Sequence, residues 1–175
     1  MRKPHLLKHL PTNATYGEMK SPAGPLTIIT SPQGLHAVLW DIDREALTAT
    51  VLTHSLKKSK DEKILLQTKK QLSEYFEGKR KTFDLPLILN GTTFQLQAWQ
   101  QLSKIPYATT ISYAKQAERI GDKKKARAIG SANGMNPISI VIPCHRVIGS
   151  NGKLVGFGGG IERKALLLQL EANHA

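Results

Sequence analysis

The 175-residue sequence predicts an α+β protein in two parts. Three observations predict it. Two β-rich runs flank a turn near the start, a 3.6-residue apolar period governs residues 89–175, and an Asn-Gly pair separates the two regimes.

Leu26 to Thr30 and Leu35 to Trp40 are rich in β-branched and aromatic residues, and Ser31 to Gly34 supplies turn chemistry, so a hairpin is expected. Asp61 to Glu77 carries Leu65, Thr68, Leu72 and Tyr75/Phe76 at helical spacing, with Gly78 placed to end the helix. Phe83 to Leu89 reads as extended and leads to Asn90-Gly91. The domain boundary is placed near residue 88, giving domains 1–88 and 89–175.

In the second domain, Phe94, Ala98, Leu102 and Ile105 form one apolar stripe, stopped by Pro106. A short helix from Tyr113 to Ile120, a turn at Gly121-Asp122 and a helix from Lys123 to Ala132 make a helix-turn-helix pattern. Ile138 to Ile142 reads as a short buried strand or extended segment. A Gly-rich loop, Gly156 to Gly160, precedes a last helix from Ile161 to Glu171 whose apolar face includes Ile161, Ala165 and Leu168.

Charge narrows the function. There are 25 Lys and Arg against 13 Asp and Glu, a formal net charge of +12, which calls for a polyanionic partner. Residues 89–175 hold 11 basic side chains and only four acidic ones, which suits contact with phosphates. No run approaches a membrane span, and the basic start has no apolar h-region, so no signal peptide and no membrane partner are expected. One cysteine excludes an internal disulfide and any multi-thiolate zinc site. A reduced, cytoplasmic protein is expected, and a monomer, because no oligomerisation seam is visible.

Cys144 is the candidate for chemistry. A thiol becomes a nucleophile when a base or cation raises its thiolate fraction, and His145 and Arg146 follow it directly. A third group must orient the imidazole, and Glu171 is the acid available in the last helix. The alternative is an inert buried thiol.

The run Ile142-Pro143-Cys144-His145-Arg146-Val147-Ile148 is similar to the acceptor-cysteine motif of the O6-alkylguanine-DNA alkyltransferases. Tyr75 to Gly78, Gly91 to Gln95, Trp99, Ile105 to Tyr107, Thr110 to Tyr113, Ala126 to Gly130, Asn133, Asn136-Pro137, Gly156 to Gly159 and Leu168 to Glu171 follow in the family's order. The resemblance is dense over residues 75–175 and looser before.

It implies an N-terminal RNase H-like α/β domain in a supporting role, followed by a mostly helical domain with a helix-turn-helix. It implies single-turnover, irreversible transfer of the alkyl group from O6-alkylguanine in double-stranded DNA to Cys144, with O4-alkylthymine as a further substrate. His145 is then the base, acting through a water, oriented by Glu171. Tyr113 donates to the leaving base, and Asn136 braces the cysteine turn. Arg127 fills the gap left by the flipped nucleotide, Ser150 contacts DNA, and Val147, Phe157 and Gly158 wall the base pocket. Many relatives have Tyr and then Ser or Ala at the last two positions, so a more open pocket that admits bulky O6 groups is expected. Some relatives hold zinc in the N-terminal half. Here that half has no Cys, and His5, His9, His36 and His54 form no ligand pattern, so neither metal nor cofactor is expected. The competing readings are a non-catalytic alkyltransferase-like lesion-binding protein, which Cys144 argues against, a transcription factor, and a cysteine hydrolase.

Overall fold

The computed structural model describes residues 9–175, without the side chains of residues 43, 44, 46 and 47. His5 lies outside the described residues. The chain divides into two compact units, Met1–Asn90 and Gly91–Ala175.

The first unit is built on a four-stranded sheet. Its strands are β1 (Thr15–Met19), β2 (Leu26–Ser31), β3 (Gly34–Trp40) and β4 (Lys57–Lys58), in the order β3-β2-β1-β4. The expected hairpin is β2–β3, paired from Leu26↔Trp40 to Ser31↔Gly34 with a register shift at Ile29/Thr30. Strand β1 was not legible, and neither were the helix α1 (Arg44–His54) and the two-residue β4.

Alternation along the strands sends side chains to both faces. Ile29, Ala37 and Leu39 join Ala14 and Leu56 in one cluster, against which Tyr16 and Val51 of α1 pack. On the other face lies α2 (Lys63–Phe76), whose Leu65 and Leu72 are fully buried. A Cβ on Gly17 would meet the Leu65 side chain at 2.6 Å, so glycine there lets strand and helix close up. Glu62 caps α2, accepting from the Ile64 and Leu65 amides at 3.0 and 2.8 Å and from the Thr30 hydroxyl at 2.7 Å. The cap therefore also ties the helix start to β2.

Strand β3 is buried along its whole length although it ends the sheet. Residues 86–88 cover its edge: Leu35 donates to Pro86 O at 2.8 Å and Ile88 donates to Leu35 O at 2.9 Å. Covering the edge removes a site for foreign strand pairing.

In the second unit, α3 (Thr93–Leu102) starts with a capping box between Thr92 and Gln95. A short pair, β5 (Ile111–Ser112), leads directly into α4 (Tyr113–Arg119). Gly121 turns the chain at φ 98°, a left-handed conformation natural to glycine. The expected helix from Lys123 to Ala132 is instead a 3-10 turn, Lys123–Lys125, followed by α5 (Ala126–Gly134). Asp122 caps the 3-10 turn, its carboxylate accepting from the Lys124 amide at 2.9 Å.

Helices α3, α4 and α5 pack through three small residues, Ala98, Ala117 and Ala132, and through Ile129. A buried amide pair locks them. Gln116 Nε2 donates to Asn133 Oδ1 at 3.1 Å, and Asn133 Nδ2 donates to Gln116 Oε1 at 2.7 Å. Gln116 Nε2 also reaches Ala98 O at 3.1 Å, and Trp99 Nε1 donates to Ala132 O at 2.9 Å.

The last helix, α6 (Ile161–Asn173), corrects the sequence reading. Its buried face is Lys164, Leu167 and Glu171, while Ile161 is 43% exposed and Ala165 is also exposed. Leu168 is half-buried, and the face that turns inward combines Leu167 with the hydrogen-bonded Lys164 and Glu171. No described helix is long and apolar enough to cross a membrane.

Candidate active site

Asn136 shapes the segment that leads to the cysteine. Its Oδ1 accepts from the Ile138 amide at 3.0 Å, and its Nδ2 donates to Ile142 O at 2.8 Å and to Cys144 Sγ at 3.3 Å. Residues 138–142 are therefore wound into a buried turn rather than the expected short strand or extended segment. The turn is tight enough to hold Ile140 at φ 73°, a conformation that a β-branched residue resists. Cys144–Arg146 then forms one 3-10 turn, and β6 (Val147–Ile148) follows immediately. Because β6 pairs with β5, and β5 runs directly into Tyr113, the pairing sets the cysteine turn beside the start of α4.

Cys144 is 6% exposed, and His145 and Glu171 are fully buried. His145 Nε2 lies 2.6 Å from Glu171 Oε1. Arg146 grips the same carboxylate with two donors, Nε to Oε2 at 2.9 Å and Nη2 to Oε1 at 3.0 Å, while its Nη1 reaches Ile105 O at 2.6 Å. The Ala108 amide adds a bond to Oε2 at 3.0 Å. Burial by itself pushes the Glu171 carboxyl up. The hydrogen bonds and charges of His145 and Arg146 outweigh it and hold the group at about 2. Glu171 is thus ionised and can only accept, so the proton on this contact belongs to His145 Nε2. In the neutral imidazole Nδ1 is then the basic nitrogen. Burial lowers the His145 pKa against the opposing pull of Glu171, with Arg146 and Lys164 adding to the decrease, so the ring is neutral at pH 7.

Sequence reasoning missed a second buried cluster. Lys164 is fully buried and spends all three protons, on Val147 O at 2.5 Å, Val155 O at 2.9 Å and Tyr113 Oη at 3.3 Å. Burial brings its pKa down to about 8, partly offset by the Cys144 charge. Burial, then the Cys144 charge, pushes the Tyr113 phenol up to about 12. Its hydroxyl faces two loop carbonyls, Val155 O at 2.8 Å and Gly156 O at 3.0 Å. The signal for Lys164 was helical phase: seven residues before Glu171, it shares that residue's face.

The remaining expected residues are placed as follows. Val147 is fully buried, with its carbonyl on Lys164, and Phe157 is buried beside the half-buried Gly158. Arg127 of α5 and Ser150, in the turn after β6, are exposed. Gly130 of α5 faces the Tyr113 ring, which a Cβ there would meet at 3.7 Å. Among the described residues no group of three or more His, Cys, Asp or Glu is placed to hold a metal ion.

A buried thiol, followed in the same turn by a neutral imidazole that an ionised carboxylate orients, makes a candidate cysteine nucleophile. Two family models match the chain: 6-O-methylguanine DNA methyltransferase, ribonuclease-like domain, over residues 14–89, and 6-O-methylguanine DNA methyltransferase, DNA binding domain, over residues 93–173. The chain belongs to this family. A methylated-DNA–protein-cysteine methyltransferase of Mycobacterium tuberculosis is 44% identical over 160 residues, 91% of this chain and 93% of that one. One from Mycolicibacterium paratuberculosis is 54% identical over 105 residues, 60% of this chain; the match spans 64% of the length of that relative. The crystal structure of a Mycobacterium tuberculosis OGT in complex with DNA superposes with a TM-score of 0.80 at 43% identity, covering 92% of this chain and 94% of that one.

Proposed function

We propose that this protein repairs DNA by direct reversal, moving the alkyl group of O6-alkylguanine, and of O4-alkylthymine, onto Cys144. Each molecule acts once, as a monomer, inside the cell and in the cytoplasm. The observation that carries the reading is the 3-10 turn Cys144–Arg146, in which a buried thiol and a buried imidazole are consecutive residues, with His145 Nε2 2.6 Å from Glu171 Oε1. The relatives' printed names and the DNA-bound neighbour support the same activity and partner.

The chemistry follows from the protonation states. His145 Nδ1 takes the thiol proton, through a water, and Glu171 stabilises the imidazolium across Nε2. The thiolate attacks the alkyl carbon, an S–C bond forms, the C–O6 bond breaks, and the electron pair leaves with guanine. Tyr113 donates its phenolic proton to the departing ring. To do so it exchanges the Val155 and Gly156 carbonyls for the base, while Lys164 keeps its own bond to Val155 O. Asn136 braces the turn and Val147, Phe157 and Gly158 wall the pocket. The helix-turn-helix α4–α5 engages DNA with Arg127 in the gap of the extruded nucleotide and Ser150 on the backbone. With no side chain at Gly158, bulky O6 groups are accepted.

Intact mass after incubation with a duplex containing O6-benzylguanine tests this. One benzyl adduct per chain is expected, and none in Cys144→Ala. DNA binding without an adduct would instead point to a lesion-binding protein, and turnover without an adduct to a hydrolase. Arg127→Ala should slow transfer from duplex DNA and spare reaction with free O6-benzylguanine; equal losses in both would remove its base-flipping role.

A further inference from the structure

Arg146 has no part in the chemistry above, yet it is 6% exposed and joins three segments of the second unit. It leaves the cysteine turn, donates to Ile105 O beyond α3, and binds both oxygens of Glu171 on α6. Its guanidinium also lies 5.6 Å from the centre of the Tyr107 ring. The planar fork matches a carboxylate in a way that a lysine cannot.

We infer that Arg146 is a positioning residue of the transfer, neutralising Glu171 and fixing the carboxylate plane against which His145 is held. Four donors converge on Glu171: His145 Nε2, two from Arg146, and the Ala108 amide. Three of them remain whatever the imidazole does. Glu171 therefore stays ionised and in place while His145 gains and loses its proton. With Arg146 as the carboxylate's counter-ion, His145 need not be charged to satisfy it. A His–Glu pair without that guanidinium would favour the imidazolium, which cannot accept the thiol proton.

The inference rests on the transfer reading, and its test is a pH profile. The groups acting on His145 are Arg146 in its own turn and Glu171 and Lys164 on α6; Cys144 is its neighbour in the turn, and Tyr107 lies beyond α3 beside Arg146. Removing the Arg146 charge strengthens the pull of Glu171 on the imidazolium and removes a repulsion. Both effects raise the pKa of His145, so the acid limb of the rate profile moves to higher pH.

Single-turnover transfer from an O6-benzylguanine duplex is measured from about pH 5.5 to 9.5 in wild type, Arg146→Gln and Arg146→Lys. R146Q keeps a donor and loses the charge. R146K keeps the charge and loses the fork. Relative to wild type, R146Q should be about ten-fold slower at pH 6 and within about three-fold at pH 9. R146K should keep the wild-type limb with a lower melting temperature. A pH-independent loss in R146Q, an unmoved limb, or a limb moved equally in R146K overturns the inference. If R146Q gives no cooperative melt, R146K decides alone: a limb in the wild-type position supports the inference and a displaced one overturns it. Failure of wild type to form an adduct at any pH would overturn the transfer reading itself, which separates the two outcomes.

Discussion

Lys164→Met isolates a buried charge that faces no carboxylate among its bonded partners. The substitution keeps the length of the side chain and removes the ammonium that Val147 O, Val155 O and Tyr113 Oη receive. Lys164 titrates at about 8 in the fold against an ordinary 10.5. Below pH 8 both folded and unfolded chains hold the proton, and the cost of burying it is fully present. Between those two values only the unfolded chain holds it, so stability rises with pH. At about 1.4 kcal/mol per pH unit, the gain is about 2–3 kcal/mol from pH 7 to pH 10. The side chain is fully buried, so no discount for solvent screening applies. Urea unfolding at successive pH values, in a Cys144→Ala background that removes the thiol's own titration, reads it out. The stability of Lys164 protein minus that of the Lys164→Met variant should climb by at least that amount, because the Cys144 charge that holds the Lys164 pKa up is also removed. Two curves that run parallel from pH 7 to 10 would refute the reasoning, because they would mean that Lys164 is hydrated or paired in the fold.

Two further expectations concern packing. Gly34→Ala places a Cβ 2.5 Å from the Pro86 carbonyl oxygen, a backbone atom that cannot swing aside, and should cost about 1–3 kcal/mol in thermal or urea unfolding. Gln116→Leu leaves the Asn133 amide buried without its partner and should cost about 1–3 kcal/mol, part of which returns in the Gln116→Leu/Asn133→Leu double variant; strict additivity in the cycle would show that the amides do not act as a pair.

The hairpin β2–β3, α2 and the helical second unit were legible because apolar period and turn residues agree there. The pairing of His145 with Glu171 was legible because one thiol and few acids leave little choice. What was hidden had context as its cause. Strand β1 carries Gly17, which weakens a strand by itself and pays off only where Leu65 presses against it. The alternation of Ile138, Ser139, Ile140, Val141 and Ile142 imitates a strand, but the Asn136 side chain takes the Ile138 amide and the Ile142 carbonyl first. Lys164 reads as a solvated helix charge until the phase of Glu171 fixes which face turns inward. Tyr113 was expected to point its hydroxyl at a substrate, and that hydroxyl bonds to the carbonyls of the neighbouring loop.

The cover over β3 bears on how this chain can be dissected. Residues 86–88 look like connector, yet they complete the hydrogen bonding of Leu35 on an otherwise open strand. A fragment ending at Asp84 would keep every named strand and helix of its unit and still expose a buried, apolar edge to other molecules. A soluble N-terminal fragment should therefore run through Leu89. The segment immediately before the boundary is the guard that keeps such a fragment from sticking to itself.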